Sequence, residues 1–138
     1  MIAGGGNPTG GSFTGPAQAL EIIGNHAYAY SGIITAGTVQ DAETTYLDFT
    51  TGSAYTAVRL QWYTDAASSD NFQLKVKMNG TTILTSEVFS ITANDPAGYT
   101  PIELIIPAYT QFEVTIANTQ ASNARDSAVI LTGRIYRR

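Results

Sequence analysis

NFQLKVKMNGTTILTSE, residues Asn71 to Glu87, has the pattern of a β-hairpin. A type I′ turn needs positive φ at both central residues, and Asn79-Gly80 supplies the pair that tolerates it best. Before the turn, Phe72, Leu74, Val76 and Met78 alternate with Gln73, Lys75 and Lys77, the period of a strand with one wet face. A two-residue turn pairs Met78 with Thr81 and Val76 with Ile83, which brings Ile83 to the apolar face. Leu84 then falls beside Lys75 on the polar face. Either a bulge corrects this, or that face is covered.

The same alternation recurs on both sides of the hairpin. Residues 17–23 lean to a short strand or irregular structure. HAYAYSGIIT (26–35) reads as one strand with Tyr28 and Tyr30 on one face and a bulge at Gly32. TTYLDFT (44–50) sets Leu47 and Phe49 against Tyr46 and Asp48. YTAVRLQWY (55–63) points Val58, Leu60 and Trp62 inward. TPIELII (100–106) and QFEVTIA (111–117) do the same with Ile102, Leu104 and Ile106, then Phe112, Val114 and Ile116. Residues 127–136 close the series with Val129, Leu131 and Ile135 inward. About eight strands at such spacing, with no convincing helix, predict an all-β antiparallel sandwich, jelly-roll-like in its strand count. An immunoglobulin-like sandwich is the second choice. One domain over residues 17–138 is expected, behind a Gly-rich arm over residues 1–16 that reads as a floppy tail or as an arm ordered only against a neighbouring subunit, with Ile2 and Phe13 as its anchors.

Composition narrows the chemistry. The 138 residues carry no cysteine, so disulfides and thiolate sites are excluded. The formal charge of −4 offers no basic field for nucleic acid. Charged residues make up only 13%, against a typical figure of about 25%. No stretch has the length of a membrane span, and the N-terminal residues lack the basic and apolar regions of a signal peptide. A cytoplasmic site of synthesis follows as an expectation.

Candidate sites are few. His26 is the only histidine, and no G-x-S-x-G elbow provides a nucleophile for it. Glu103 and Glu113 lie on outward positions of successive strands, where they could be neighbours, but outward carboxylates usually serve solubility. Asp65, Asp70 and Asn71 share a loop with oxygen ligands suited to calcium, although their spacing is not that of an EF-hand and reads equally as turn chemistry. No cofactor, metal or catalytic residue is assigned, and no enzymatic activity is expected. Tyrosine is the enriched type. Tyr28, Tyr30, Tyr46, Tyr63 and Tyr109 are expected to point outward, where they suit a sugar platform or a protein interface, or simply fill sandwich edges. Arg134, Arg137 and Arg138 make a basic tip on an acidic body, which suits an acidic partner surface or, as is more common, is simply a solvated tail.

Three stretches carry a family resemblance: PIELIIP (101–107), YTQFEVTI (109–116) and LTGRIY (131–136). Together they resemble small virion proteins of tailed bacteriophages, of the capsid-decorating or head-associated type. The resemblance implies a sandwich that clusters, often as trimers, on an icosahedral shell assembled in the host cytoplasm. Its implied partners are the major capsid protein or other virion subunits, with no membrane and no nucleic acid. It brings no catalytic residues. A carbohydrate-binding module, using the tyrosines and Trp62, is the alternative from another class.

Overall fold

The computed structural model describes residues 19–66, 69–89 and 101–136. The expected arm over residues 1–16, with Ile2 and Phe13, lies outside the described residues. So do Arg137 and Arg138.

The described residues form ten strands and no helix. In chain order they are β1 (Glu21–Ile23), β2 (His26–Tyr30), β3 (Ile34–Ala36), β4 (Thr44–Thr50), β5 (Tyr55–Thr64), β6 (Asn71–Met78), β7 (Thr81–Phe89), β8 (Ile102–Ile106), β9 (Gln111–Asn118) and β10 (Arg125–Tyr136). One sheet runs β1-β2-β10-β5-β8, with β3 also against β10. The other runs β4-β9-β6-β7. Every pairing is antiparallel. The order is nested: β6 pairs with β7, β5 with β8, β4 with β9 and β2 with β10. Beyond the short β1–β2 hairpin, the chain therefore doubles back at Asn79-Gly80, and the doubled ribbon rolls up so that β5 also meets β10 and β6 meets β9. That is the jelly-roll arrangement of two facing sheets.

The turn has the predicted conformation, with φ of 53° at Asn79 and 82° at Gly80. It is also clasped to the other half of its sheet. The Asn79 main-chain N–H donates to the Gln111 carbonyl at 2.8 Å, and Asn79 Oδ1 accepts from the Gln111 N–H at 2.9 Å.

The inward sets fill the space between the sheets. Leu60, Phe72, Leu74, Val76, Phe112, Val114, Ile116, Val129 and Leu131 are all fully buried. Phe49 and Phe112, directly opposite across β4 and β9, hold their ring centroids 5.2 Å apart. Gly133 faces this interior opposite Val58. A β-carbon there would meet the Ala57 carbonyl oxygen and lie 2.8 Å from Val58 Cγ1, so the glycine of LTGRIY makes room for its cross-strand neighbour.

Three local expectations need correcting, and two of them are bulges. The β6–β7 register shifts after Val76, so that Val76 pairs with Leu84 rather than Ile83. Leu84 packs against the core and Ile83 is exposed. The bulge, not a cover, resolves the conflict seen in the hairpin. A second shift between Thr45 and Leu47 turns Tyr46 inward beside Leu47 instead of outward with Asp48. Its hydroxyl donates to the Ile34 carbonyl at 3.2 Å, and burial pushes the phenol up to about 12. Third, residues 26–35 are two strands, not one. Gly32, at φ 71°, breaks the run, and Ser31 bridges the break. Its main-chain N–H donates to the Val129 carbonyl, and its hydroxyl accepts from the Val129 N–H at 2.9 Å.

The outer face of the four-stranded sheet is polar and internally paired. Glu43 accepts from Lys77 at 2.7 Å, from Lys75 at 3.1 Å and from the Thr115 hydroxyl at 3.2 Å. Gln111 donates to Asp48, Gln73 to Glu87 and Thr45 to Glu113. The Lys77 hydrogen bond is the main cause of a Glu43 carboxyl lowered to about 2; partial burial opposes it and Lys75 adds to it.

Two outcomes follow from this architecture. Asn79→Ala removes both the tolerance for positive φ and the acceptor of the Gln111 N–H, and should cost about 1–2 kcal/mol in urea unfolding; unchanged stability would contradict the role of the clasp. Glu43 contributes stability that is present above its ordinary value of 4.5 and is lost as pH falls toward about 2. Because the ion pairs are partly solvated, Glu43→Gln should cost only about 1 kcal/mol at neutral pH. The gap between the two proteins should close as unfolding is measured from pH 5 down toward 2. A constant gap would contradict the linkage.

Candidate functional site

The outer face of the other sheet has a different character. Cross-strand registers place its residues in rows. Ile23, His26, Arg134, Ala57 and Ile105 form one row across β1, β2, β10, β5 and β8. Glu21, Tyr28, Thr132, Arg59 and Glu103 form the next. Tyr30, Ile130 and Gln61 follow, and then Ala128 with Tyr63. At the opposite end Tyr136 stands beside Tyr55. Strands stand about 4.8 Å apart and same-face residues about 6.7 Å apart along each strand, so this grid covers roughly 500 Å².

Most of the large exposed apolar side chains of the six-stranded sheet sit on this grid. Ile23 is 65% exposed, Ile105 61% and Ile130 44%, and Tyr55, Tyr63 and Tyr136 are exposed with them. Tyr28 and Tyr30 are half-buried, their ring centroids 5.0 Å apart and tilted by 39°. Alternation explains why all of them face out: Ala27, Ala29, Val58, Leu60, Val129 and Leu131 take the inward positions between them.

Within the face lies an open groove of about 640 Å³ over β8, β5 and β10. Ala57 is the short side chain that creates it, between Ile105 on one wall and Arg134 on the other. Tyr136 closes one end. Thr132 and the Arg59–Glu103 ion pair, 3.1 Å long, stand at the other. Both partners of that pair are largely exposed, so it contributes little stability. Arg134 is exposed, and among the described residues it forms no ion pair.

The expected site residues separate clearly. Tyr28, Tyr30, Tyr63 and Arg134 come together on this one face. Tyr46 is in the core, and Tyr109 projects from the β8–β9 loop at φ 54°. His26 is exposed on the open sheet, across from Arg134. Glu103 and Glu113 are not neighbours: they stand on the outer faces of different sheets. The calcium reading meets Asp70 already occupied. Its buried carboxylate accepts from Arg125 Nε at 2.7 Å, Asn123 Nδ2 at 2.9 Å and Asn118 Nδ2 at 3.0 Å. Asp65 accepts from the Asp126 N–H. These bonds tie the start of β6 to the end of β9 and the loop before β10. Sequence reading passed over Ile23, Ile105, Ile130, Tyr55 and Tyr136. Their signal was an apolar residue at an outward position in each strand.

No family model matches the chain, and no curated protein matches it. Among solved structures it is similar to the VP2 subviral particle of infectious bursal disease virus, with 11% identity and a TM-score of 0.48, covering 94% of this chain and 38% of that one. It is also similar to the structure of the Gx strain of infectious bursal disease virus, with 10% identity and a TM-score of 0.43, covering 92% and 38%. The chain thus spans 38% of the length of each of those viral chains. A third similarity is to the CBM36-1 domain of a multidomain xylanase from the hindgut metagenome of Trinervitermes trinervoides, with 12% identity and a TM-score of 0.34, covering 100% and 86%.

Proposed function

We propose that this chain is a structural virion protein that decorates and stabilises a bacteriophage head, adhering to several capsid subunits and performing no reaction. The observation that carries the reading is the contrast between the two outer faces. One is a largely polar network that satisfies itself, with Ile83 as an exposed apolar residue on β7. The other, a grid of roughly 500 Å² that also carries Glu21, Arg59, Glu103 and Arg134, leaves Ile23, Ile105, Ile130 and a set of tyrosines exposed at outward positions. Tyrosine and isoleucine without lysine suit the desolvated centre of a protein interface. The resemblance of residues 101–136 to head-associated phage proteins supports the virion part. His26, in the open and without a carboxylate in its row, supports the absence of catalysis.

Each patch is smaller than the ~800 Å² per partner of a stable interface. Adhesion therefore depends on multivalence, in which a self-associated trimer converts several weak contacts into one strong attachment. Light scattering on the purified full chain should give the trimer mass; a strict monomer at all concentrations would contradict this part. Phage heads assembled without this protein, mixed with purified full chain and sedimented, should bind it saturably. Ile23→Asp with Ile130→Asp, both on the surface, should weaken that binding at least about tenfold while leaving the melting temperature near that of the parent. Failure of the parent to bind, or unchanged binding by the variant, would contradict the proposal.

A further inference from the structure

We propose that the groove over Ala57 is a binding site for an acidic sugar, held through its carboxylate by Arg134. This goes beyond shell adhesion; it uses the β5–β8–β10 corner of the face, which shares Ile105 and Tyr136 with the adhesive surface but leaves Ile23 and Ile130 outside the groove. Three features of the groove carry it.

The first is charge. Arg59 is neutralised by Glu103 at 3.1 Å, whereas Arg134 is exposed and without an ionic partner among the described residues. Among the described residues, Arg134 is thus the one guanidinium without an ionic partner, on a chain of formal charge −4. Its planar fork matches one carboxylate in bidentate fashion. A phosphate, with nearly twice the charge, draws on several donors, and among the described residues of the groove only one cation is without an ionic partner.

The second is shape. Ala57 gives a flat floor, and Ile105 and Arg134 stand two strand spacings apart, about 9.6 Å between backbones. The groove is shallow, with a volume of about 640 Å³, so a sugar ring would lie along it rather than be enclosed. The groove is open to solvent and polar along one wall. It therefore lacks the enclosed, fully desolvated pocket in which a protein anchor residue gains its energy.

The third is the end wall. Tyr136, directly opposite Tyr55 and exposed with it, offers phenol faces to the C–H surface of a pyranose. At the other end the Thr132 hydroxyl and the Arg59–Glu103 pair supply donors and acceptors for ring hydroxyls. The carboxylate is read by charge, the ring by the aromatic and polar ends.

The test is an NMR titration of the ¹⁵N-labelled full chain with methyl β-glucuronide, sialyllactose, the carboxyl methyl ester of each, and acetate. At least one acid should give saturable shifts confined to β5, β8 and β10, with its ester at least about tenfold weaker because the ionic fork is lost. Acetate, which lacks the ring, should also bind at least about tenfold more weakly. Arg134→Gln should abolish the preference for acid over ester, Arg134→Lys should retain part of it, and Tyr136→Ala should weaken the acid while preserving the preference. Raising the salt should weaken the acid alone. The inference is overturned if acid and ester bind alike, if acetate binds as well as the sugars, if no acid saturates, or if the shifts map elsewhere. Shell adhesion is read by sedimentation with different residues, so either proposal can fail alone.

Discussion

Antiparallel pairing between the two halves of the chain is the constraint on which everything else in this molecule depends. Every strand pairing except β1 with β2 joins a strand before Asn79-Gly80 to one after it. Neither half owns a sheet. Outside the β1–β2 and β6–β7 hairpins, the main-chain hydrogen bonds of the strands are made to partners far away in sequence, and an unpaired, buried strand would leave costly polar groups without partners. The turn is therefore the point about which the whole ribbon is folded, and its double hydrogen bond to Gln111 fixes it against β9.

The outer face of the six-stranded sheet inherits this interleaving. Its rows cross β1 and β2 from the first half, β10 from the second, β5 from the first and β8 from the second. Arg134, Ala57 and Ile105 become neighbours only when the ribbon has rolled up, and so do Tyr136 and Tyr55. The two outer faces then diverge in chemistry. Around Glu43, charges find each other across β4, β6 and β9, so that face is self-sufficient. On the six-stranded sheet, apolar and aromatic side chains occupy outward positions with little to cover them. A surface that a protein leaves uncovered at this scale is better explained by what it meets than by what it stabilises.

Alternation made the architecture legible in the sequence, because a half-buried strand writes its period directly into the residues. Strands β4 to β6 and β8 to β10, with most of their inward residues, could be read this way. The two bulges could not be read by period alone. One extra residue shifts every later side chain to the opposite face. The signal was present as adjacent apolar pairs, Tyr46-Leu47 and Ile83-Leu84, at places where alternation allows one. Gly32 was noticed but underrated: its positive φ ends a strand rather than denting it. The face was half legible. Tyr28, Tyr30, Tyr63 and Arg134 stood out by type. Ile23, Ile105 and Ile130 did not, since a single outward isoleucine on a strand is ordinary. Only the cross-strand register adds them into one patch, and register between distant segments is not written in either segment.

The most direct measurement of the central claim is fragment complementation. Residues 1–79 and 80–138, prepared separately, should each show the circular dichroism of an unfolded chain and no cooperative melting. Mixed in equal amounts, they should regain the β-sheet signal and the aromatic signal of Trp62 and Tyr46 in the core. Cooperative melting of either fragment alone would contradict the account, because it would mean that one half holds a sheet of its own.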